Sequence, residues 1–197
     1  MEAPQWTSKL IIGDNCCNEV NFTSLDLSRF VHLKSLVIGE NSLNEIVNVT
    51  EARPELLNEV IIGENSLRSH SYTVNNRNTL LSIPWYVTAL TVVSNSCNEV
   101  VINECTLSRY KLLRSVVIGS NCFKYVPELV IDGLNWLESI TIGSSSFCFS
   151  CNGIAENQYR NFHLKNCLSL RELSIDRYSF SDYHIFELNH LPNLNRL

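Results

Sequence analysis

The chain repeats one eleven-residue phrase, and this repetition limits its possible folds more than any other feature. Leu33–Leu43 reads L-K-S-L-V-I-G-E-N-S-L and Leu57–Leu67 reads L-N-E-V-I-I-G-E-N-S-L. With the phrase numbered one to eleven, apolar residues fall at positions one, four, six and eleven, glycine at seven and asparagine at nine. The frame begins near residues 7, 33, 57, 87, 113, 137 and 170, and an eighth opens at Leu194 and stops at Leu197. The intervals are 26, 24, 30, 26, 24, 33 and 24 residues. Positions four and six alternate with three and five, which is the period of a strand. A single short strand cannot bury its apolar side alone. Stacked copies can, as parallel strands over one continuous core.

Hydrophobic residues at 45% supply such a core. Charged residues, at 18%, fall below the roughly 25% of typical soluble domains, and the net charge is −5 without a basic run. Nucleic-acid binding therefore has no electrostatic basis, and no apolar run reaches the roughly 18 residues of a membrane helix, so no membrane insertion is expected. The opening M-E-A-P-Q-W-T-S-K-L lacks the basic and apolar regions of a signal peptide. A cytoplasmic location with free thiols is the default expectation for the eight cysteines, and a cell-surface location if the chain is a piece of a longer protein. The sequons at Asn21-Phe22-Thr23 and Asn48-Val49-Thr50 do not alter this, since an asparagine-rich sequence yields such matches by chance.

The phrase matches L-x-x-L-x-L-x-x-N-x-L, and on that match the chain resembles the leucine-rich-repeat proteins over essentially its whole length, 1–197. The form N-C-x-x-L-x-x-L-x-I at Asn166–Ile175 is similar to the BspA-like surface-protein subgroup. The resemblance implies a single solenoid domain. Its concave side would be a curved parallel β-sheet, and its convex side short strands, turns and irregular segments. It also implies a non-catalytic module that binds a protein or peptide, with no cofactor. A second reading is a structural or adhesive spacer within a larger surface protein.

The residues set further expectations. Short β-branched runs at Val20–Phe22, Ile46–Val49, Val100–Ile102, Leu129–Ile131 and Ile185–Leu188 read as convex strands. Asn15, Asn41, Asn65, Asn95 and Asn121 at position nine are expected to form a buried amide ladder that satisfies the backbone of the turn. Ser145 and Tyr178 interrupt that row, so the geometry is expected to be least regular between the copies at 137 and 170. Glycine at position seven fits either a positive φ or a close approach; Val93 and Asp176 at the same position favour the approach.

Position five should face the open side. It reads Ile11, Val37, Ile61, Thr91, Val117, Thr141 and Ser174. This row is either a floor for a partner or the ordinary strand preference of β-branched residues; its fading toward Ser174 directs any partner to the N-terminal half. Position eight brings Asp14, Glu40 and Glu64 onto successive copies, as an attractor for a cation or basic partner or simply as a solvated edge. Neither terminus shows a polar capping unit, which suits a fragment or end-to-end self-association.

Most cysteines read as small core residues. Cys105 and Cys167 read as equivalents ahead of their hallmarks. Cys148, Cys151, His163 and Cys167 have spacing close to that of a zinc site. Against a site, Cys167 has that repeat counterpart and the direction of His163 is set by its strand. A Cys148–Cys151 disulfide is the alternative if the chain is exported. His32, His70, His184 and His190 are scattered and no nucleophile–base pair has a local context, so no enzyme is expected.

Overall fold

A computed structural model of the chain describes residues 5–50, 57–63, 66–67, 71–100, 105–149 and 160–197. Glu64, Asn65, His70, Cys151 and residues 101–102 of the expected convex strand, singled out above, lie outside these residues. The chain divides into two compact units, Met1–His70 and Ser71–Leu197.

In the first unit, β1 (Lys9–Ile12), β3 (Ser35–Ile38) and β5 (Glu59–Ile62) form one parallel sheet, and β2 (Ser24–Asp26) and β4 (Asn48–Thr50) a second. Lys9 pairs with Ser35 and Ser35 with Glu59, so equal frame positions lie side by side. Leu36 and Ile38 point inward and are buried, together with Leu25, Leu27, Leu33, Leu43, Ile46 and Leu67. The strand expected at Val20–Phe22 does not form. The Phe22 amide closes a turn onto Glu19 O at 2.8 Å, and the strand begins at Ser24.

In the second unit the hallmark sheet runs β6 (Ser71–Val74), β7 (Ala89–Val92), β9 (Ser115–Ile118), β11 (Ser139–Ile142), β13 (Glu172–Ile175). The chain alternates between it and a second sheet of β8 (Cys105–Thr106), β10 (Glu128–Asp132), β12 (Asn161–Lys165) and β14 (Ile185–Asn189). Every pairing between described strands is parallel. Among the described strands no sheet closes on itself. Leu90, Val116 and Ile140 from one sheet and Leu129, Ile131, Phe162 and Leu164 from the other share one core.

The interval from 57 to 87 is where the phrase is interrupted. The neighbours of β7 are β6 and β9, so the copy at 87 does not follow the copy at 57 as the frame alone suggests. Tyr72 and Val74 alternate inward like hallmark residues. The turn that should follow is replaced by α1 (Arg77–Leu81), whose first turn is closed by a capping box between Asn76 and Thr79. The hallmark strands bounding the 137-to-170 interval, expected to be the least regular, are in register: Ser139, Ile140, Thr141 and Ile142 pair in turn with Glu172, Leu173, Ser174 and Ile175.

The turn after each hallmark strand corrects the asparagine expectation. Position nine takes the left-handed conformation at Asn15, Asn41, Asn95 and Asn121, with φ of 55°, 51°, 63° and 56°. Asparagine recurs there because its short polar side chain tolerates that region. Its side chain is exposed at Asn15, Asn95 and Asn121 rather than buried. Ser145 and Tyr178 hold the same conformation, with φ of 58° and 63°.

The buried ladder belongs to position ten. Ser42 Oγ accepts from the Cys16 amide at 3.0 Å and donates to Gly13 O at 2.7 Å. Ser146 Oγ does the same for the Cys122 amide at 3.0 Å and Gly119 O at 2.7 Å. Ser179 continues it with the Ser146 amide at 3.0 Å and Gly143 O at 2.7 Å. Each hydroxyl thus satisfies one donor and one acceptor of the preceding copy, the arrangement that buried polar backbone requires. Cys122 fills the place with a thiol that donates to Val93 O at 3.1 Å. Asparagines bridge copies on the exposed side: at position nine Asn121 donates to Asn95 Oδ1 at 3.3 Å, and from position twelve Asn98 accepts from the Lys124 amide at 2.9 Å and donates to Asn121 O at 2.8 Å.

Position seven shows why glycine recurs. A Cβ at Gly39, Gly63, Gly119 or Gly143 would lie 2.5–2.7 Å from a backbone nitrogen of the preceding copy. Close approach, not a positive φ, excludes a side chain. Gly13 opens its sheet and meets nothing nearer than Cys16 Sγ at 3.6 Å.

Position eleven also has positive φ, at Leu43, Phe123, Phe147 and Phe180 among others. That conformation costs about 1–2 kcal/mol for a residue with a Cβ. Burial of a Leu or Phe side chain stabilises by about 1.5–3 kcal/mol, which offsets the strain. Phe123, Phe147 and Phe180 stack in a column with centroids 4.9 Å apart at each step.

Two predictions follow from the turn. Ser146→Ala leaves the Cys122 amide and Gly119 carbonyl without their partner and should destabilise by about 1–3 kcal/mol, read by urea unfolding; Ser146→Cys should cost less, since Cys122 already fills the equivalent place. Tyr178→Asn relieves an exposed left-handed aromatic and should raise stability by about 0.5–1 kcal/mol, read as an increase in Tm.

Candidate binding surface

Alternation turns positions three and five of each hallmark strand away from the core. In the first unit this face presents Ile11, Val37 and Ile61 in direct lateral register. Ile11 is 64% and Ile61 45% exposed, and Val37 between them is half-buried. Beside this row run Lys9, Ser35 and Glu59. Ser35 Oγ donates to Glu59 Oε2 at 2.5 Å, and Lys9 Nζ lies 3.7 Å from the same oxygen. The serine hydrogen bond, with the lysine charge second, lowers the Glu59 pKa below its ordinary value.

At the far end of these strands Asp14 and Glu40 are exposed. Asp14 Oδ1 accepts the Glu40 amide at 2.8 Å. In the second unit Ser94 Oγ accepts the Ser120 amide in the same way at 3.1 Å. Position eight is therefore partly structural: its side chain anchors the next copy's turn. The Glu40 side chain extends beyond this bond.

The equivalent face of the second unit carries Thr73, Thr91, Val117, Thr141 and Ser174 in register. Only Val117, 41% exposed, is a large apolar member. The apolar row of the first unit has no counterpart of equal strength here.

The outer face of the second sheet holds a cluster that sequence reading missed. His163 Nδ1 lies 2.7 Å from Glu187 Oε2, and Nε2 lies 3.8 Å from Glu128 Oε1. Lys165 Nζ reaches the same Glu187 oxygen at 2.9 Å. The Lys165 hydrogen bond, followed by that of His163, lowers the Glu187 pKa to about 2. A further group is buried: Arg160 pairs with Asp182 at 3.3 Å, donates to Lys124 O and Val126 O at 3.1 and 3.0 Å, and lies over the Tyr183 ring. Tyr183 Oη donates to Val126 O at 2.6 Å. These contacts tie the second sheet to the turns rather than shape an accessible cleft.

The described members of the cysteine–histidine constellation separate. Cys148 is buried with Sγ 3.2 Å from Ser181 Oγ. Cys167 is buried and donates to Lys165 O at 3.2 Å. His163 engages the carboxylates just described. Among the described residues no group of three or more His, Cys, Asp or Glu side chains is placed to hold a metal ion. Cys105 and Cys167 are not equivalents: Cys105 pairs with Leu129, and Leu129 with Phe162. Cys105 therefore corresponds to Phe162. The helix among the described residues is too short to cross a membrane, and none is long and apolar enough to do so.

Compared with family models, with curated proteins and with solved structures, the chain finds no match.

The Glu187 contacts carry a pH prediction. A carboxyl held below its unfolded value of 4.5 adds stability that is complete above that pH and is lost as pH falls toward about 2. Glu187→Gln should therefore flatten the acid limb of the stability profile between these values, measured by denaturant unfolding across pH.

Proposed function

We propose that the chain is a leucine-rich-repeat solenoid that acts as a non-catalytic binding module and holds a protein or peptide partner on its concave hallmark sheet. The observation that carries this reading is the lateral row Ile11, Val37 and Ile61 on the face turned from the core, with Ile11 and Ile61 exposed and Val37 half-buried between them. Aliphatic side chains aligned on a rigid sheet gain from being covered, at about 25 cal/mol per Å² of apolar surface removed from water. The single-domain reading of 1–197 belongs to the same proposal. Parallel pairing of equal frame positions within each unit supports the repeat assignment.

A second reading, a structural or adhesive spacer of a larger surface protein, is favoured by the second unit alone. Its Thr73, Thr91, Thr141 and Ser174 row offers little apolar area to a partner.

Affinity capture with the whole chain as bait, followed by identification of what it retains, tests the binding reading. The combined Ile11→Asp, Val37→Asp and Ile61→Asp variant should lose the captured partner while keeping its circular dichroism spectrum. Unchanged capture by a folded variant would mean that the face is not the site.

A further inference from the structure

This inference rests on the binding reading above and adds the chemistry of the occupant. Charge is divided unevenly between the two units. Met1–His70 carries ten acidic and five basic residues, and Ser71–Leu197 ten of each. The whole net charge of −5 thus falls in the unit that also bears the apolar row.

The described basic residues of that unit do not neutralise the open end of the row. Lys9 is engaged by Glu59, Arg29 lies beside Asp26 of β2, on the other sheet, and Lys34 is exposed at position two, before the strand begins. Among the described residues no lysine or arginine comes within ion-pair distance of Asp14 or Glu40. Along the strand direction the face therefore reads ion pair, aliphatic, carboxylate: Lys9 with Glu59 at position three, the Ile11, Val37 and Ile61 row at position five, Asp14 and Glu40 at position eight. Glycine at position seven adds no side chain between the row and the acids.

We propose that the occupant of this face is an extended segment of another protein, with aliphatic side chains followed by lysine or arginine at one end, lying along the hallmark strands. Positions three to eight span five residue steps of about 3.3 Å, roughly 16 Å, so a segment of about six extended residues covers the face. Its aliphatic side chains would cover Ile11 and Ile61. Its terminal cations would meet Glu40 with Asp14 at the position-eight end, which favours encounter and sets orientation.

The test uses the full chain and two synthetic probes, Leu-Ser-Val-Ser-Leu-Lys-Lys and its twin with every lysine replaced by glutamate, each followed by fluorescence anisotropy. The lysine probe should bind at least about tenfold more tightly than its twin and weaken as salt rises. Its affinity should fall about tenfold in Glu40→Lys, whose backbone bond to Asp14 is retained, and by a similar factor in the uncharged variant Ile61→Ser. Equal binding of the two probes, lost in Ile61→Ser, would overturn the charge assignment and leave the face as the site. Lysine-probe binding unchanged in Ile61→Ser would place the contact elsewhere and overturn both readings. Failure of both probes to bind overturns the basic-segment assignment, and the capture experiment then decides the face by itself.

Discussion

At the close of each regular hallmark strand, the backbone of one copy approaches the next so nearly that a single added carbon would collide with a main-chain nitrogen at 2.5–2.7 Å. Much of the rest depends on this approach. It brings the amide of position ten and the carbonyl of position seven within reach of one hydroxyl from the following copy. It accompanies two left-handed residues in the turn, at positions nine and eleven, in every copy whose two positions are described. The first falls to an exposed asparagine, whose side chain suits that backbone. The second falls to a buried Leu, Phe or Cys in the copies from 33 onward, whose desolvation offsets the strain, and to an exposed Cys17 in the first. Packing and backbone conformation are therefore one problem at position eleven: the strained residue is also a principal core residue.

The same turn explains how the outer face is made available. Because the hydroxyl ladder and the core both lie on the inner side of the strands, positions three and five are released from structural duty. What they carry then differs between the units. Aliphatic residues occupy the row in the first, threonine and serine most of it in the second. The carboxylates around the first unit's row serve two ends at once, since Asp14 holds a backbone amide while Glu40 extends past its own.

Legibility from sequence followed the physics of each feature. The parallel hallmark strands and their inward residues were readable because a two-residue period and a repeated frame act locally and recur. The glycine was readable as a close approach because Val93 and Asp176 share its position. The asparagine was readable as important and as a bridge between copies, which Asn121 makes to Asn95, but not as exposed: a buried amide and one chosen mainly because it permits a positive φ look alike in a sequence. The serine beneath it drew no notice, since serine is common on any polar surface. The interruption at Ser71–Val74 was hidden because S-Y-T-V lacks the leucines and glycine that mark the frame. The grouping of Glu128, His163 and Glu187 depended on register in the second sheet, where the partners of β12 lie 33 residues before and 24 after.

The bond between Ser146 and Ser179 spans 33 residues, yet its length equals that between Cys122 and Ser146, which spans 24. The ladder is indifferent to how much chain passes between one turn and the next strand, and strict about the eleven positions it links. Such a molecule can change length in whole excursions without cost to its neighbours, whereas a single residue gained or lost inside a turn would set two copies out of step. Its tolerance for variation is thus concentrated in the connecting segments, away from the hallmark face, and that face can be altered residue by residue while the frame beneath it stays constant.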